Sequence, residues 1–417
     1  MESTRPRRPI PSGHGAPVRR SRDRRGIAAN RTGRLVLGLG AVLVAATVAG
    51  LVGLWPAAGA VEPPPGSIPG TTFRAEVVAV RATPCEMPGQ EGCRVAEARL
   101  QEGSDTGRMV EFPADSAGRN ELVAVGDAVR LTENEVPPGA DAAQIPPYSL
   151  SGFERRAPLL WLALGFMAVV VVFGRWRGLR SLVGLAISLL VVAKFVVPAI
   201  VGGRDPVAVA VVGAMAIMLT TILFAHGAGP KSLAAVLGTS FSLGLTVVLA
   251  MLFTGLTELS GMASDQSVLL VVGQDQVSLR GLVLAGMIIG ALGVLDDVTV
   301  SQASAVMALR AADPTQGARA LYRGALAVGR DHVAATVNTL VLAYVGAALP
   351  TVLLFSVAGT SFGEVVNNES VAQEIVATLV GSIGLIAAVP VTTALAAMLA
   401  RSVPVDRVRH AGHMHAH

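Results

Sequence analysis

Charged residues are scarce in this chain. Asp, Glu, Lys and Arg make up 15% of its 417 residues, and the mean hydropathy is +0.58. Soluble domains carry roughly 25% charged residues, so this composition argues against a soluble globular protein. The apolar excess is mostly Ala, Val, Leu and Gly, and small residues let membrane helices approach closely. The composition therefore indicates an integral membrane protein with the lipid bilayer as its partner.

Aromatic residues and cysteines are also few. Phe, Trp and Tyr make up 4% of the chain, and none lies among the N-terminal arginines, so we expect no nucleic-acid partner. The only cysteines, Cys85 and Cys93, lack a metal-binding spacing. In a segment outside the membrane they predict a disulfide, with two free thiols as the alternative. No GxxxxGK[ST] loop is present, which argues against ATP-driven transport by this chain alone.

The N-terminal region changes composition twice. Residues 1–34 are rich in Arg, Pro, Ser and Gly, which predicts a disordered Arg-rich cytoplasmic tail. Residues 35–55 are uncharged and long enough to span the bilayer as an anchor. The alternative is a signal peptide cleaved near Ala58-Gly59-Ala60. Both interpretations place residues 60–155 outside the membrane.

Residues 60–155 show alternation of apolar and polar residues, the period of a β-strand. Turn residues, mainly Gly, Pro and Asp, separate the alternating runs. We expect a small extracytoplasmic all-β domain of barrel type between the first and second membrane helices. The predicted strands are 73–80, 94–100, 108–112 and 128–131.

Long apolar runs follow from Pro158 to residue 400. With the anchor they predict an all-α polytopic bundle of about eight transmembrane helices, seven of them in the segment 158–400. Arg and Lys recur in alternate loops, which predicts that both termini, including a His-containing tail at 401–417, are cytoplasmic. The predicted spans are 158–174, 179–201, 206–225, 232–256, 281–298, 333–356 and 375–400.

One cytoplasmic loop has order of its own. In the segment 311–330, Asp313 fits a helix N-cap, followed by Pro314 at N1 and Gln316 at N3. This pattern predicts a short basic amphipathic helix along the cytoplasmic surface, with a solvated linker as the alternative.

The run GLVLAGMIIGALGVLDDVTVSQASAVMALR at 281–310 carries the first candidate site. Gly286 and Gly290 have GxxxG spacing and Gly293 follows, which predicts close packing of another helix. Asp296 and Asp297 come next, and carboxylates close to the membrane are usually functional because burying them is costly. The alternative is an interfacial pair that caps a second half-helix from 298. The polar residues that follow are Thr299, Ser301, Gln302 and Ser304.

The run GRDHVAATVNTLVLAYVGAALP at 329–350 carries the second candidate site. Asp331 fits an N-cap, with Asn338 on the same face two turns later. A helix N-terminus lowers the proton affinity of histidine, so His332 is a candidate neutral ligand or proton acceptor. A lone interfacial histidine with satisfied hydrogen bonds is the alternative.

These two runs, preceded by an external domain and an N-terminal anchor, resemble the YibE/F family of bacterial membrane proteins. The resemblance covers about residues 70–400. It implies a multi-span protein of the bacterial plasma membrane and supplies no reaction. The Arg-rich head and the C-terminal HAGHMHAH lie outside the resemblance. The four histidines of that tail are a weak metal-binding candidate, with a tail without function as the alternative.

The clustering of ionisable residues beside glycine-rich helices favours a permease or ion-coupled secondary transporter for a small cation or other small solute. Asp296, Asp297, Asp331 and His332 are the expected coupling residues. The alternative is a non-transporting envelope scaffold that binds a partner through the β domain. An enzyme is not expected, because no GxGD sequence supports aspartyl catalysis within the membrane. We predict no cofactor.

Overall fold

The computed structural model of the chain describes residues 31–57, 72–84, 93–103, 105–114, 123–134, 145–227, 229–263 and 277–401. Most of the N-terminal tail, the possible cleavage site at 58–60 and the histidines of the C-terminal tail lie outside these ranges. Cys85 also lies outside them. The Cys85–Cys93 disulfide therefore stays a prediction.

Five antiparallel strands form a small curved sheet. Its order is β3-β2-β1-β4-β5, and the two edge strands contact each other, so the sheet curls into a half-barrel. Alternate side chains such as Ala75, Val77 and Val129 fill its core. The four predicted strands are confirmed, and β5 was not predicted. The strands are β1 Thr72–Ala82, β2 Arg94–Leu100, β3 Met109–Pro113, β4 Ala128–Glu133 and β5 Tyr148–Phe153.

Glu154 joins the sheet to the first helix of the bundle. One carboxylate oxygen accepts a hydrogen bond from Arg130 of β4 at 3.1 Å, and the other accepts from the backbone N–H of Arg156 at 2.9 Å. Both hydrogen bonds favour the ionised carboxylate and hold the pKa of Glu154 below its usual value. The junction between strand and helix is thus fixed by a charged pair rather than by a flexible linker.

The remaining described residues are mostly helical. Seven helical segments among them are long and apolar enough to cross a membrane, namely α1, α2 continued by α3, α4, α5, α6, α7 and α9. The chain is therefore a multi-pass membrane protein. The helices are α1 Arg31–Gly53, α2 Arg156–Val191, α3 Val197–Val201, α4 Pro206–His226, α5 Pro230–Leu256, α6 Leu279–Ala312, α7 Ala318–Val357, α8 Phe362–Asn367 and α9 Glu369–Ala400.

The segment Arg156–Val201 contains two of the predicted spans in one run of 46 residues. A straight helix of that length would measure about 69 Å, more than twice a bilayer core of about 30 Å. Arg175 interrupts it with φ 49° and ψ −133°. A Cβ on Gly178 would overlap the carbonyl oxygen of Val170, so the chain reverses direction there. Counted as one, this segment gives seven membrane-length helical segments among the described residues; divided at Arg175, it gives the eight predicted spans.

Contacts between helix ends define one end of the bundle, which we call the Glu369 end. Gly281 of α6 lies against Pro206 at the start of α4, and Gly255 of α5 lies beside Arg280. The carboxylate of Glu369, at the start of α9, accepts hydrogen bonds from the backbone N–H groups of Ser260 and Gly261, both at 2.7 Å. Therefore α4, α6 and α9 run parallel to one another, and α5 runs antiparallel to them.

Helices α5 and α9 form the closest interface in the bundle. A Cβ on Gly238 of α5 would overlap Thr392 of α9, and a Cβ on Gly384 of α9 would overlap Thr246 of α5. Only glycine permits this approach, which brings the two backbones together along most of their length.

Two predicted helix starts are wrong. Asp313 is the C-cap of α6, where its carboxylate accepts from the backbone and side chain of Thr315, and Gly317 is the N-cap of α7. Asp331 is not an N-cap, because it lies inside α7. The predicted short surface helix is the beginning of this 40-residue helix. Local capping patterns were outweighed by the continuous helical packing of α7 against α6 and α9.

Candidate functional site

Helix α6 carries the first candidate site near its midpoint. It is continuous over 34 residues, so a break with a second half-helix from 298 is wrong. Asp296 lies 17 residues from the start of α6 and 16 from its end, about 24–26 Å from either terminus at 1.5 Å per residue. The carboxylate therefore lies about halfway along α6, whose 34 residues span about 51 Å, and caps nothing.

The two oxygens of the Asp296 carboxylate have different surroundings. Oδ2 accepts a hydrogen bond from Thr221 of α4 at 3.0 Å. Oδ1 is buried and has no hydrogen-bond partner among the described residues. A buried carboxylate oxygen without a donor is unfavourable unless a proton, a cation or water occupies the space beside it.

Hydroxyl groups continue the polar contacts next to Asp296. Thr299 of α6 and Thr239 of α5 are fully buried, and their hydroxyl oxygens lie 2.6 Å apart. Thr299 also donates to the backbone carbonyl of Asp296 at 3.1 Å. Thr221, Asp296, Thr299 and Thr239 thus form a polar layer across α4, α6 and α5, which we call the Asp296 layer.

Further buried hydroxyls lie on α5 and α9. Their hydroxyl oxygens are almost completely shielded from solvent and have no hydrogen-bond partner among the described residues. Such groups are uncommon in folded proteins, where buried polar atoms are usually paired. They add hydrogen-bonding capacity to the core beside the Asp296 layer. They are Ser242, Thr246, Thr254, Ser382 and Thr392.

Gln302 has a structural contact. Its side-chain amide, 3% exposed, donates to the backbone carbonyl of Ala325 in α7 at 2.8 Å. A Cβ on Gly329 would overlap this amide, so the glycine provides its space. Gln302, predicted as a transport residue, is placed where it fastens α7 to α6. Ser301 donates to the carbonyl of Val298 in its own helix at 2.9 Å.

Gly286, Gly290 and Gly293 lie on the exposed face of α6 together with Asp297. Close packing on these glycines is wrong for the described residues. No atom lies within 4 Å of a Cβ built on Gly286 or Gly293, and Gly290 meets only the Tyr344 hydroxyl at 3.5 Å. The spacing of four, three and four residues places Gly286, Gly290, Gly293 and Asp297 on one stripe, which is turned toward α7 at Tyr344.

The second candidate site lies on α7 and stays separate from the first. Asp331, His332 and Asn338 are exposed. No hydrogen bond or salt bridge in the described part of the chain joins Asp331 or His332 to Asp296 or Asp297. Among the described residues there is also no group of three His, Cys, Asp or Glu side chains placed to hold a metal ion.

Two residues that line cavities were missed by sequence reasoning. Glu374 lies just outside the predicted span 375–400, and the structure places it inside α9. Tyr344 of α7 was not singled out. Both line two adjoining cavities between α6, α7 and α9. The sequence signal was the single acidic residue within an apolar run that begins at Val371.

The sequence profile of a family described as YibE/F-like protein matches residues 162–402, more than half of the chain. The chain belongs to the YibE/F-like family. The matched range includes all of α4 to α9 and with them both candidate sites, and it begins after the sheet, over which the resemblance was expected to extend. No curated protein and no solved structure matches the chain.

Proposed function

We propose that the protein is a permease or ion-coupled secondary transporter in which Asp296 is the coupling carboxylate. The observation that supports this is the buried Oδ1 of Asp296, which has no hydrogen-bond partner among the described residues and lies about halfway along α6. A carboxylate in such a place is costly as a bare charge. Binding and release of a proton or a small cation gives it two states of comparable stability.

The neighbours of Asp296 suit this exchange. The Thr221 hydroxyl can donate its one proton to Oδ2 at 3.0 Å or to the Ile217 carbonyl of its own helix at 2.9 Å, so it can adapt to both states of the carboxylate. The hydroxyls of Thr299 and Thr239 lie in the same layer, and a hydroxyl can either donate to a carboxylate or accept from a cation. Helices α4 and α5, which hold these hydroxyls, can therefore respond to whether Asp296 is charged.

The orientation follows from charge. We propose that the Glu369 end faces the outside of the bacterial plasma membrane and that both termini are cytoplasmic. Arg175 and Arg177 then lie at a cytoplasmic turn, and Arg319, Arg323 and Arg330 lie at the cytoplasmic beginning of α7. The half-barrel and the Cys85–Cys93 disulfide lie outside in this orientation.

Asp297 and the two ionisable residues of α7 are proposed to line the approach to Asp296. Asp297 is exposed on the glycine-lined face of α6, which is turned toward α7. Asp331 and His332 lie nearer the beginning of α7 and would meet a cation arriving from the cytoplasm. Carboxylates lining such a path raise the local concentration of cations.

The coupling role is tested on the full chain in liposomes. Infrared difference spectra between mildly acidic and mildly alkaline buffer report protonation of a buried carboxyl, and equilibrium binding of radioactive sodium reports a bound cation. We expect one of the two signals in the wild type. It should be lost in Asp296→Asn and altered in Thr221→Ala, because the hydroxyl no longer holds Oδ2.

Asp105→Asn is the matched control, since it makes the same chemical change in an exposed turn of the sheet. It should leave both signals intact. If the wild-type signals persist unchanged in Asp296→Asn, the carboxylate is not the coupling group. Absence of both signals from folded wild type would favour a scaffold that acts through the half-barrel.

A further inference from the structure

Two adjoining cavities lie between α6, α7, α8 and α9 toward the Glu369 end of the bundle. The first has a volume of about 490 Å³, within the roughly 300–1,000 Å³ typical of small-molecule sites. Its walls are mainly apolar, with Val345 and Ala348 of α7 facing Ile375 of α9. The second, about 420 Å³, reaches Gly286 on the exposed face of α6. Together they connect an apolar chamber with the glycine stripe that leads to Asp297.

Glu374 and Tyr344 line both cavities and so lie at their shared boundary. Among the described residues no Lys, Arg, His or Asp lines either cavity. Glu374 is half-buried and has no hydrogen-bond or ion-pair partner within the described ranges. The backbone carbonyl of Glu374 is engaged by Thr378, whose hydroxyl donates to it at 2.6 Å. Within the described part of the chain, this carboxylate is therefore the only ionised group that lines the two cavities.

We propose that the first cavity binds an organic monocation with an apolar body, whose positive charge lies against Glu374. An apolar molecule gains from burial against the valine, alanine and isoleucine side chains. A single carboxylate without a protein cation selects positive charge over negative charge by attraction and desolvation. Tyr344 adds an aromatic ring beside the charge. This inference rests on the proposed transport function and names the class of its substrate.

The shared position of Glu374 also gives the cation a route. A ligand that moves from the first cavity to the second keeps the same counter-ion, so the transfer leaves no charge unpaired. Gly286 then opens the way along α6 because no side chain lies over it. The acidic residue reached at the far end of the glycine stripe is Asp297.

The test uses the full chain in nanodiscs of phosphatidylcholine. Tetraphenylphosphonium is the probe, and tetraphenylborate is an anion of the same shape. Equilibrium binding is measured for each ion and corrected with empty nanodiscs. We expect saturable binding of the cation and none of the anion. Glu374→Gln should weaken cation binding by about tenfold or more, since a charge-assisted contact is replaced by a neutral one.

Two further variants sharpen the result. Glu258→Gln removes an exposed carboxylate at the same end of the bundle and outside both cavities, so it should bind the cation as the wild type does. Ala348→Phe fills the first cavity and should abolish saturable binding while Glu374 stays in place. It also tests the cavity independently if Glu374→Gln fails to fold, as thermal unfolding would reveal.

Three outcomes would overturn the proposal: no saturable cation binding by the wild type, unchanged binding by a folded Glu374→Gln, or equal binding of the two ions. Equal binding would indicate an apolar cavity that holds lipid chains. No ion gradient is applied in this measurement, so its failure leaves the coupling role of Asp296 untouched. Conversely, loss of the coupling role leaves the predicted cation binding as it stands.

Discussion

Helices α5 and α9 pack differently from helices α6 and α7, although both pairs contain glycines at helical spacing. In the first pair, Gly238 and Gly384 lie directly under threonine side chains of the opposite helix. In the second pair, Gly286 and Gly293 face open space. Glycine spacing therefore indicates where a helix can be approached closely, whereas the structure determines whether a neighbour uses the opportunity.

The two pairs of helices also differ in how many of their residues are buried. In the most apolar stretch of α9, 56% of the residues are buried, whereas the corresponding stretch of α7 has no buried residue. Close backbone packing secures α5 and α9, whereas the buried residues of α7, namely Leu321, Ala325 and Gly329, all lie near its beginning. The exposed glycine stripe of α6 faces α7, and the two cavities lie on the same side of the bundle.

The largest expected effect comes from adding one methyl group to each kind of glycine. Gly238→Ala should destabilise the protein by about 1–3 kcal/mol, because the new Cβ overlaps Thr392. Gly286→Ala should be neutral or stabilising by up to about 1 kcal/mol, since alanine is the better helix former. Thermal unfolding in detergent compares the two variants.

A compensating change checks the cause. Thr392→Ala should restore part of the stability lost in Gly238→Ala, because it removes the overlapping hydroxyl and methyl groups. Equal unfolding temperatures for Gly238→Ala and Gly286→Ala would show that the two interfaces do not differ as described.

The next effect concerns the attachment of α7. Gly329→Ala should displace the Gln302 amide from the Ala325 carbonyl and destabilise the protein by about 1–2 kcal/mol. In the double variant Gly329→Ala with Gln302→Ala, the overlap with the Gln302 amide is gone and only that with Val389 remains, so the two losses should be less than additive. Full additivity in chemical denaturation would argue against a shared contact.

A smaller effect is expected at the hydroxyl pair of the Asp296 layer. Thr239→Val removes the 2.6 Å hydroxyl contact of Thr299, which keeps its bond to the Asp296 carbonyl, and should cost about 1 kcal/mol of unfolding free energy. Replacing both threonines by valine should cost less than the sum of the single changes. Thr339→Val on α7, whose hydroxyl bonds its own helix, is the control and should stay within about 0.5 kcal/mol.

The smallest effect concerns Glu154, at the junction of the sheet and α2, and it depends on pH. Since the folded pKa of Glu154 is depressed, its contribution is full above the usual glutamate pKa of about 4.3 and is lost as pH falls through the folded pKa. Glu154→Gln should therefore lower the melting temperature at neutral pH, with the difference vanishing in acid.

Asp313 provides the matched comparison for Glu154. The Thr315 side chain holds the pKa of Asp313 below its usual value as well, but its contacts stay within one turn. Asp313→Asn should shift melting less than Glu154→Gln, because no second element is released. A larger shift for Asp313→Asn would contradict the role of Glu154 in joining sheet and bundle.

Composition and periodicity were sufficient to predict the membrane helices and four of the five strands. Long uncharged runs have few alternatives to a membrane span, and strict alternation identifies a half-buried strand such as β1. Strand β5 was missed although YSLSGF alternates, because the run is only six residues long and contains a glycine, which is uncommon in strand interiors. In the segment Arg156–Val201, hydropathy predicted two spans. It could not show that helical conformation continues up to Arg175 from both sides, with almost no loop between the spans.

The candidate site was predicted less completely. The sequence identified Asp296 as unusual, yet its partners Thr221 and Thr239 come from other helices, and their proximity depends on tertiary packing. Asp313 and Asp331 were assigned as N-caps because short polar residues fit that role in many helices, whereas here tertiary packing sets the helix boundaries. Whether these residues transport ions is left to the liposome measurements proposed above.

The contact between Glu369 and Ser260–Gly261 has a consequence in the statistics of chain closure. It joins residues about 109 positions apart and so pins both ends of the segment that contains α6 and α7. The entropy of closing such a loop depends only on the logarithm of its length, about 0.6 kcal/mol for each doubling. Inserting a few residues into the connection at 313–317 should therefore leave the closure almost unchanged. The hydrogen bonds of Glu369 and the glycine contacts between α5 and α9 do not involve the residues of that connection.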